Sequence, residues 1–221
     1  LQTMDPAMAT DVISGQSMTD VYSGLFRWNK TKLEPDMAAK MPTVSKDQKT
    51  YTFTIRKGAK WSDGKEITAQ DFVYSWERAA DPKTKSEYSY IFSGIKNADD
   101  IIAGKKDPST MGVKAEGKYK LVLTLDRVMP YFQKMITLQT FNPVEKSVVK
   151  KYGSKFGTAS KYITASGPYK LTNWNGSNNT WTEVKNKSYW NAKNVKLDKI
   201  KTTVVKDTST AVNLFQSNKL D

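Results

Sequence analysis

The chain has 221 residues, enough for one large domain or two small ones, and its 38% apolar content permits a buried core. It contains no Cys and no His, which excludes disulfides, thiol chemistry and the commonest general base and metal ligand. The net charge is +13, but the lysines are scattered singly or in pairs and arginine occurs only at Arg27, Arg56, Arg78 and Arg127, so a solvated lysine-rich surface fits better than a nucleic-acid interface.

Met4 to Ser17 is small and polar, with Asp5-Pro6 as an early turn. Thr10 to Ser14 is expected to be a short strand or an extended loop, with free backbone groups along one edge. Met18, Val21, Tyr22 and Leu25 have helical spacing, and Gly24 suits the end of that helix. Leu25 to Trp28 reads as a strand. Tyr51, Phe53 and Ile55 alternate with Thr52, Thr54 and Arg56, which predicts a half-buried strand that Lys57-Gly58 stops. Trp61-Ser62-Asp63-Gly64 carries turn chemistry. Thr68 and Asp71 have capping-box spacing, and Phe72, Val73, Trp76, Ala79 and Ala80 fall on one face of the helix that follows. Asp81-Pro82 ends it, because proline keeps its predecessor out of helical geometry.

Asp81 to Gly94 is a loop rich in Ser and Tyr. A short helix is expected over Asn97 to Ala103, closed by Gly104, and a helical turn over Pro108 to Met111. Tyr119, Leu121, Leu123 and Leu125 alternate with polar residues as in a strand. Pro130 opens a helix at its permitted first turn, and Asn142-Pro143 starts another in the same manner, with Val144, Val148 and Tyr152 as its stripe and Gly153 as its end. Lys155 to Thr164 is a polar connection. Tyr169 to Trp174 and Thr180 to Val184 flank an Asn- and Gly-rich loop as in a hairpin. Leu197 to Val205 reads as a strand, and Thr208 or Ser209 caps a last helix. Most tryptophans stand within periodic apolar sets and are expected in the core, with Trp28 the one whose place the pattern fixes least.

Catalytic patterns are not found. Gly58 to Lys65 is one residue too long for a phosphate loop, and Glu66 stands where Ser or Thr would reach magnesium. Asp63 is needed by its turn and Asp71 by its cap, which leaves no carboxylate pair for glycoside chemistry. Asp99-Asp100 lacks calcium-loop spacing, and no serine has a base in a recognisable motif. No apolar run approaches membrane-spanning length, and no signal peptide is visible at Leu1.

Two segments carry a resemblance: FTIRKGAKWSDG over Phe53 to Gly64, and TAQDFVYSW over Thr68 to Trp76. They resemble the signature of the family 5 extracytoplasmic solute-binding proteins, with the oligopeptide-binding components of bacterial ABC importers as the nearest branch. Met4-Asp5-Pro6, Gly24-Leu25, Gly112 to Ala115, Pro130-Tyr131-Phe132, Gly167-Pro168-Tyr169 and Tyr189-Trp190 follow in family order, so the similarity runs from about Met4 to Asp221.

The resemblance implies an α/β (mixed α+β) fold: a periplasmic-binding-protein-like lobe with a mixed sheet, an inserted α+β subdomain, and a second lobe missing from this fragment. Residues 1–24 and 144–221 would form the lobe and residues 25–143 the insertion. The implied function is capture of oligopeptides, mainly through their backbone, for delivery to ABC-transporter permease subunits. The peptide would run along Asp11, Val12, Ile13 and Ser14, with Ser86 and Tyr88 on the opposite wall. No catalytic residue, cofactor, metal or nucleic-acid partner is implied. The protein would be extracytoplasmic, held to the membrane by a lipid anchor outside these residues. The alternatives are a non-peptide solute or the dipeptide, pheromone or metal-chelate ligands of relatives, an enzyme acting on peptides or glycans, and a basic nucleic-acid-binding module.

Overall fold

In the computed structural model, which describes residues 1–221, the alternating segment at Tyr51 lies inside a four-stranded sheet. Strands β1 (Phe26–Asn29) and β2 (Lys32–Pro35) form a separate hairpin. Strands β3 (Thr43–Val44), β4 (Thr50–Thr54), β5 (Val113–Glu116) and β6 (Lys120–Thr124) then form a sheet of order β3-β4-β6-β5. Tyr51 and Phe53 pair with Leu123 and Leu121, so one face of the sheet is apolar. Helix α2 (Ala69–Ala80) packs on that face, burying Phe72, Val73, Trp76, Ala79 and Ala80. Its start is the expected box: the Thr68 N–H and hydroxyl both donate to the Asp71 carboxylate, at 2.7 and 3.0 Å. Trp76 is fully buried and its indole N–H donates to the Phe141 carbonyl at 2.8 Å.

Helices α1 (Val12–Val21), α3 (Ala98–Ile102), α4 (Phe132–Met135) and α5 (Lys146–Tyr152) connect these parts. The third sheet contains β7 (Tyr169–Thr172), β8 (Thr180–Lys185) and β9 (Lys199–Thr203), and α6 (Thr208–Gln216) follows it. Every strand pair is antiparallel, so the sheet expected to be mixed has no parallel pairing within these residues. Strands β4 and β9 lie in different sheets.

Three apolar cores result. The largest has 30 buried residues, drawn almost wholly from residues 25–141 and including Trp61 and Trp76. A second joins Met4, Met18, Val21 and Tyr22 to Leu171, Trp174 and Trp181, so α1 covers the β7-β8 face. A third lies under α5 at Val144, Val148, Val149 and Phe156. Backbone and side-chain ties cross between them. Ser62 and Ala165 exchange hydrogen bonds of 2.8 and 3.0 Å, and Arg78 grips the buried Asp5 carboxylate with both guanidinium nitrogens.

Three element starts differ from expectation. Thr10 to Ser14 is not extended: Asp11 is the N-cap and Val12 is already helical. The helix expected from Pro143 begins at Lys146: Glu145 is its extended N-cap, and the Val144 N–H donates to the Ser75 hydroxyl at 2.8 Å. The cap of α6 is Asp207, whose carboxylate accepts from the Ser209 N–H, rather than Thr208 or Ser209.

Candidate functional site

The first turn of α1 is the most exposed apolar feature of the N-terminal segment. The Asp11 carboxylate accepts the Ser14 N–H at 2.8 Å, which starts the helix there. Val12 is 86% exposed and Ile13 48%. Ser14 points the other way: it is buried, and its hydroxyl oxygen accepts the N–H groups of Gln2 and Thr3 at 3.1 and 3.3 Å. The four residues are therefore together but divided in role, two presented and two structural. A helix start leaves its first N–H groups without intrahelical acceptors, so Val12 and Ile13 present donors rather than a strand edge.

Across from this turn lies Gln139. A side chain on Gly15 would come within 3.4 Å of the Gln139 amide, so α1 and the turn at 139–141 abut. Gln139 also lines a cavity of about 260 Å³ with Tyr88, Tyr90, Ile91, Leu138 and Thr140. The rings of Tyr88 and Tyr90 meet edge to face at 6.0 Å, and Tyr90 and Leu138 are largely exposed. Tyr88 thus stands on a concave apolar wall that reaches α1 through Gln139. Ser86 is buried behind it, with a hydroxyl that has no partner, and does not line the cavity. Tyr90, Leu138 and Gln139 were not singled out from the sequence as site residues; their signal is a cluster of large side chains in turns too short to bury them.

A second, more polar cavity of about 310 Å³ lies on the other side of Gln139, with Arg27, Trp28, Asp36, Asn142 and Tyr189 in its lining. The Asp36 carboxylate at its base accepts from Tyr189 Oη at 3.1 Å and Trp190 Nε1 at 2.9 Å. Burial pushes the Asp36 carboxyl above the usual carboxylate range, against the lowering effect of those donors. Arg56 completes the cluster: its Nε donates to the Asp36 carbonyl at 2.6 Å, and its guanidinium lies 3.6 Å from the centre of the Trp190 ring. This cluster joins the end of β2, the end of β4 and the segment after β8. No group of three or more Asp or Glu side chains is placed to hold a metal ion.

The chain matches the family described as bacterial extracellular solute-binding proteins, family 5 Middle, over residues 32–221. It is 36% identical to the dipeptide-binding protein of Lactococcus lactis subsp. cremoris, over 99% of this chain and 40% of that protein. It is 37% identical to the oligopeptide-binding protein OppA of Bacillus subtilis, again over 99% of this chain and 40% of the relative. Among solved structures, OppA of Listeria monocytogenes bound to peptide superposes over 100% of this chain and 44% of its own, with a TM-score of 0.98 at 38% identity. The chain therefore spans about 40% of the length of the curated relatives it matches.

Proposed function

The chain belongs to the bacterial extracellular solute-binding proteins of family 5, and we propose from that membership that it forms one wall of an oligopeptide-capturing cleft in the binding component of an ABC importer. The supporting observation is the exposed first turn of α1 facing, across Gln139, the wall of Tyr88, Tyr90 and Leu138. One side offers backbone donors and the other an apolar surface that accepts varied side chains, which suits an extended peptide held largely by its main chain. Within Asp11 to Ser14, Val12 and Ile13 make up the donor side, and Asp11 and Ser14 fix the turn that presents them. Tyr88 contributes directly to the wall, and Ser86 supports the turn behind it.

In the complete protein a second lobe closes on this one by hinge motion and excludes water from the bound peptide. The closed form then meets the permease subunits, and a lipid anchor keeps the protein at the outer face of the membrane. This role is capture and release, without bond cleavage. Calorimetric titration of the full-length protein with a mixed set of short peptides tests it: saturable binding with the peptide recovered intact is the expected result. Binding of a non-peptide solute with no response to any peptide, or recovery of cleaved peptide, would refute it.

A further inference from the structure

The lysines are spread along the whole chain, but the carboxylates are not. Residues 1–145 carry 21 Lys and Arg against 18 Asp and Glu, whereas residues 146–221 carry 14 Lys, no Arg and 4 Asp and Glu. Ten of the thirteen net positive charges therefore lie in the last third of the chain. Between Lys146 and Thr182 there is no acidic residue at all.

The structure sharpens this asymmetry. Every ion pair in the molecule takes its cation from residues 27–127, and none of the 14 lysines after Glu145 is paired. Five of them cluster on and just after α5: Lys146, Lys150, Lys151, Lys155 and Lys161, all exposed. Lys146 and Lys150 are one helical turn apart and share a side of the helix. Lys151 and Lys161 come together in space, because both line a cavity of about 290 Å³ that also contains Ser147 and Thr164. Each of the two stands about 5.0 Å from the ring of its neighbour, Tyr152 or Tyr162, and those rings are themselves 5.0 Å apart. Of the carboxylates nearby, Asp63 and Glu145 are both engaged by Lys65, and Glu77 lies near Lys146. Six lysines, Lys65 included, thus face three carboxylates, and none of the five is ion-paired.

We propose that this face, from α5 to Lys161, docks on an anionic phospholipid surface. Three features favour a headgroup layer over a structured polyanion. The cations are all lysines, which act as compact, strongly hydrated point charges, and the planar guanidinium fork that reads phosphate geometry is missing. The side chains between them are small hydroxyls, Ser147, Ser154 and Thr158, all exposed, which suit a wet interface. The apolar residues of α5, Val148 and Val149, are buried beneath it, so attachment is electrostatic and reversible, without insertion. This inference is independent of the peptide-capture reading, because the face is built from other residues than the cleft.

The test is flotation of the purified protein with two kinds of vesicle: phosphatidylcholine alone, and equal parts phosphatidylcholine and phosphatidylglycerol. Binding is expected to the second and not the first, and to be lost at high salt. Reversal of Lys151, Lys155 and Lys161 to Glu together should weaken it by at least about tenfold, since each basic residue near such a surface contributes measurably. Reversal of the exposed, unpaired Lys40, Lys46 and Lys96 should change it less than about twofold, because none of the three lines the α5 cavity or belongs to the segment from α5 to Lys161. Replacing the first three lysines by Gln gives a second variant should the Glu form fold poorly, and far-ultraviolet dichroism and melting temperature check both. Equal binding to the two vesicles overturns the proposal. So does equal damage from the control set, which would mean bulk charge, or tighter binding of soluble polyphosphate than of the anionic vesicles, which would name a different occupant.

Discussion

Val12 is the first helical residue of α1, and the residue before it is extended, with φ −103° and ψ 150°. That geometry makes it a clean probe of backbone recognition. Proline is tolerated at the first position of a helix and requires an extended predecessor, and both conditions are met here. Val12→Pro therefore removes one N–H without breaking α1, while Val12→Ala removes only the side chain. If the peptide accepts from this N–H, the proline variant should bind it about 1–3 kcal/mol more weakly, the usual cost of an unmade hydrogen bond in a desolvated site, and the alanine variant nearly normally. Calorimetry on both variants decides: unchanged binding by a folded Val12→Pro removes this turn from the cleft. Thr10 to Ser14 is helical from Val12 onward although its composition favours extended chain. Two adjacent β-branched residues suggest extended chain, but the Asp11 cap is worth about 1 kcal/mol and α1 has a buried face to gain. The Tyr88 wall was only partly legible, since nothing local in the sequence links Tyr88 to Leu138 and Gln139, fifty residues away.

Among the elements, the packing of α1 on β8 contains an acid pair. Glu183 is 2% exposed on the central strand of its sheet, facing Ser17 and Asp20 of α1. Tyr169 of β7 and Asp198, just before β9, are the other titratable groups near the pair, and no lysine or arginine is ion-paired with either carboxyl. Burial first, and then the nearby Asp20, push the Glu183 carboxyl up to about 7. Burial likewise raises Asp20. A raised acid favours the fold in its protonated form. The stabilisation is thus complete below the unfolded value of about 4.5 and is lost as pH rises through about 7. Glu183→Gln fixes the neutral form, so it should flatten this dependence and stabilise the protein at pH ~8 by about 1–3 kcal/mol. Urea melts across that pH range check it, and parallel curves for the two proteins would mean that Glu183 is not the titrating group. The elements that sequence periodicity located well, β4, α2 and the β7-β8 hairpin, are those whose apolar pattern faces a core. Strand β3 has two residues, too few for a pattern, and β5 depends on pairing with β6, which no local signal announces.

At the scale of the whole molecule, the family resemblance was visible because FTIRKGAKWSDG and TAQDFVYSW combine turn, cap and core residues whose spacing the fold dictates. The division into bodies is a separate matter. We propose that residues 1–24 with 144–221 form one unit and residues 25–143 another. The cores support it in their sizes and membership: of the 30 buried residues in the largest cluster all but Ala7 belong to the second unit, against clusters of 9 and 4 for the first. Stability follows buried apolar area, so the smaller unit should open first. Its C-terminal end is weakest, because α6 has no buried residue and β9 is an edge strand with two exposed residues and three partly buried ones. Ties at Ser62–Ala165, Asp5–Arg78, Ser75–Val144, Lys65–Glu145 and Asp36 with Tyr189 and Trp190 oppose separation, but none of them reaches β9 or α6. Native-state hydrogen exchange on the 221-residue chain, in rising denaturant below the unfolding midpoint, measures this directly. Amides of β4 and β6 should exchange through global unfolding, and those of β9 through an opening at least about 2 kcal/mol lower in free energy. Strand β8, held between β7 and β9 and against α1, should fall between them. If β9 and β4 share one opening free energy, the chain unfolds as a single cooperative unit, and the boundaries at residues 24 and 144 have no energetic meaning.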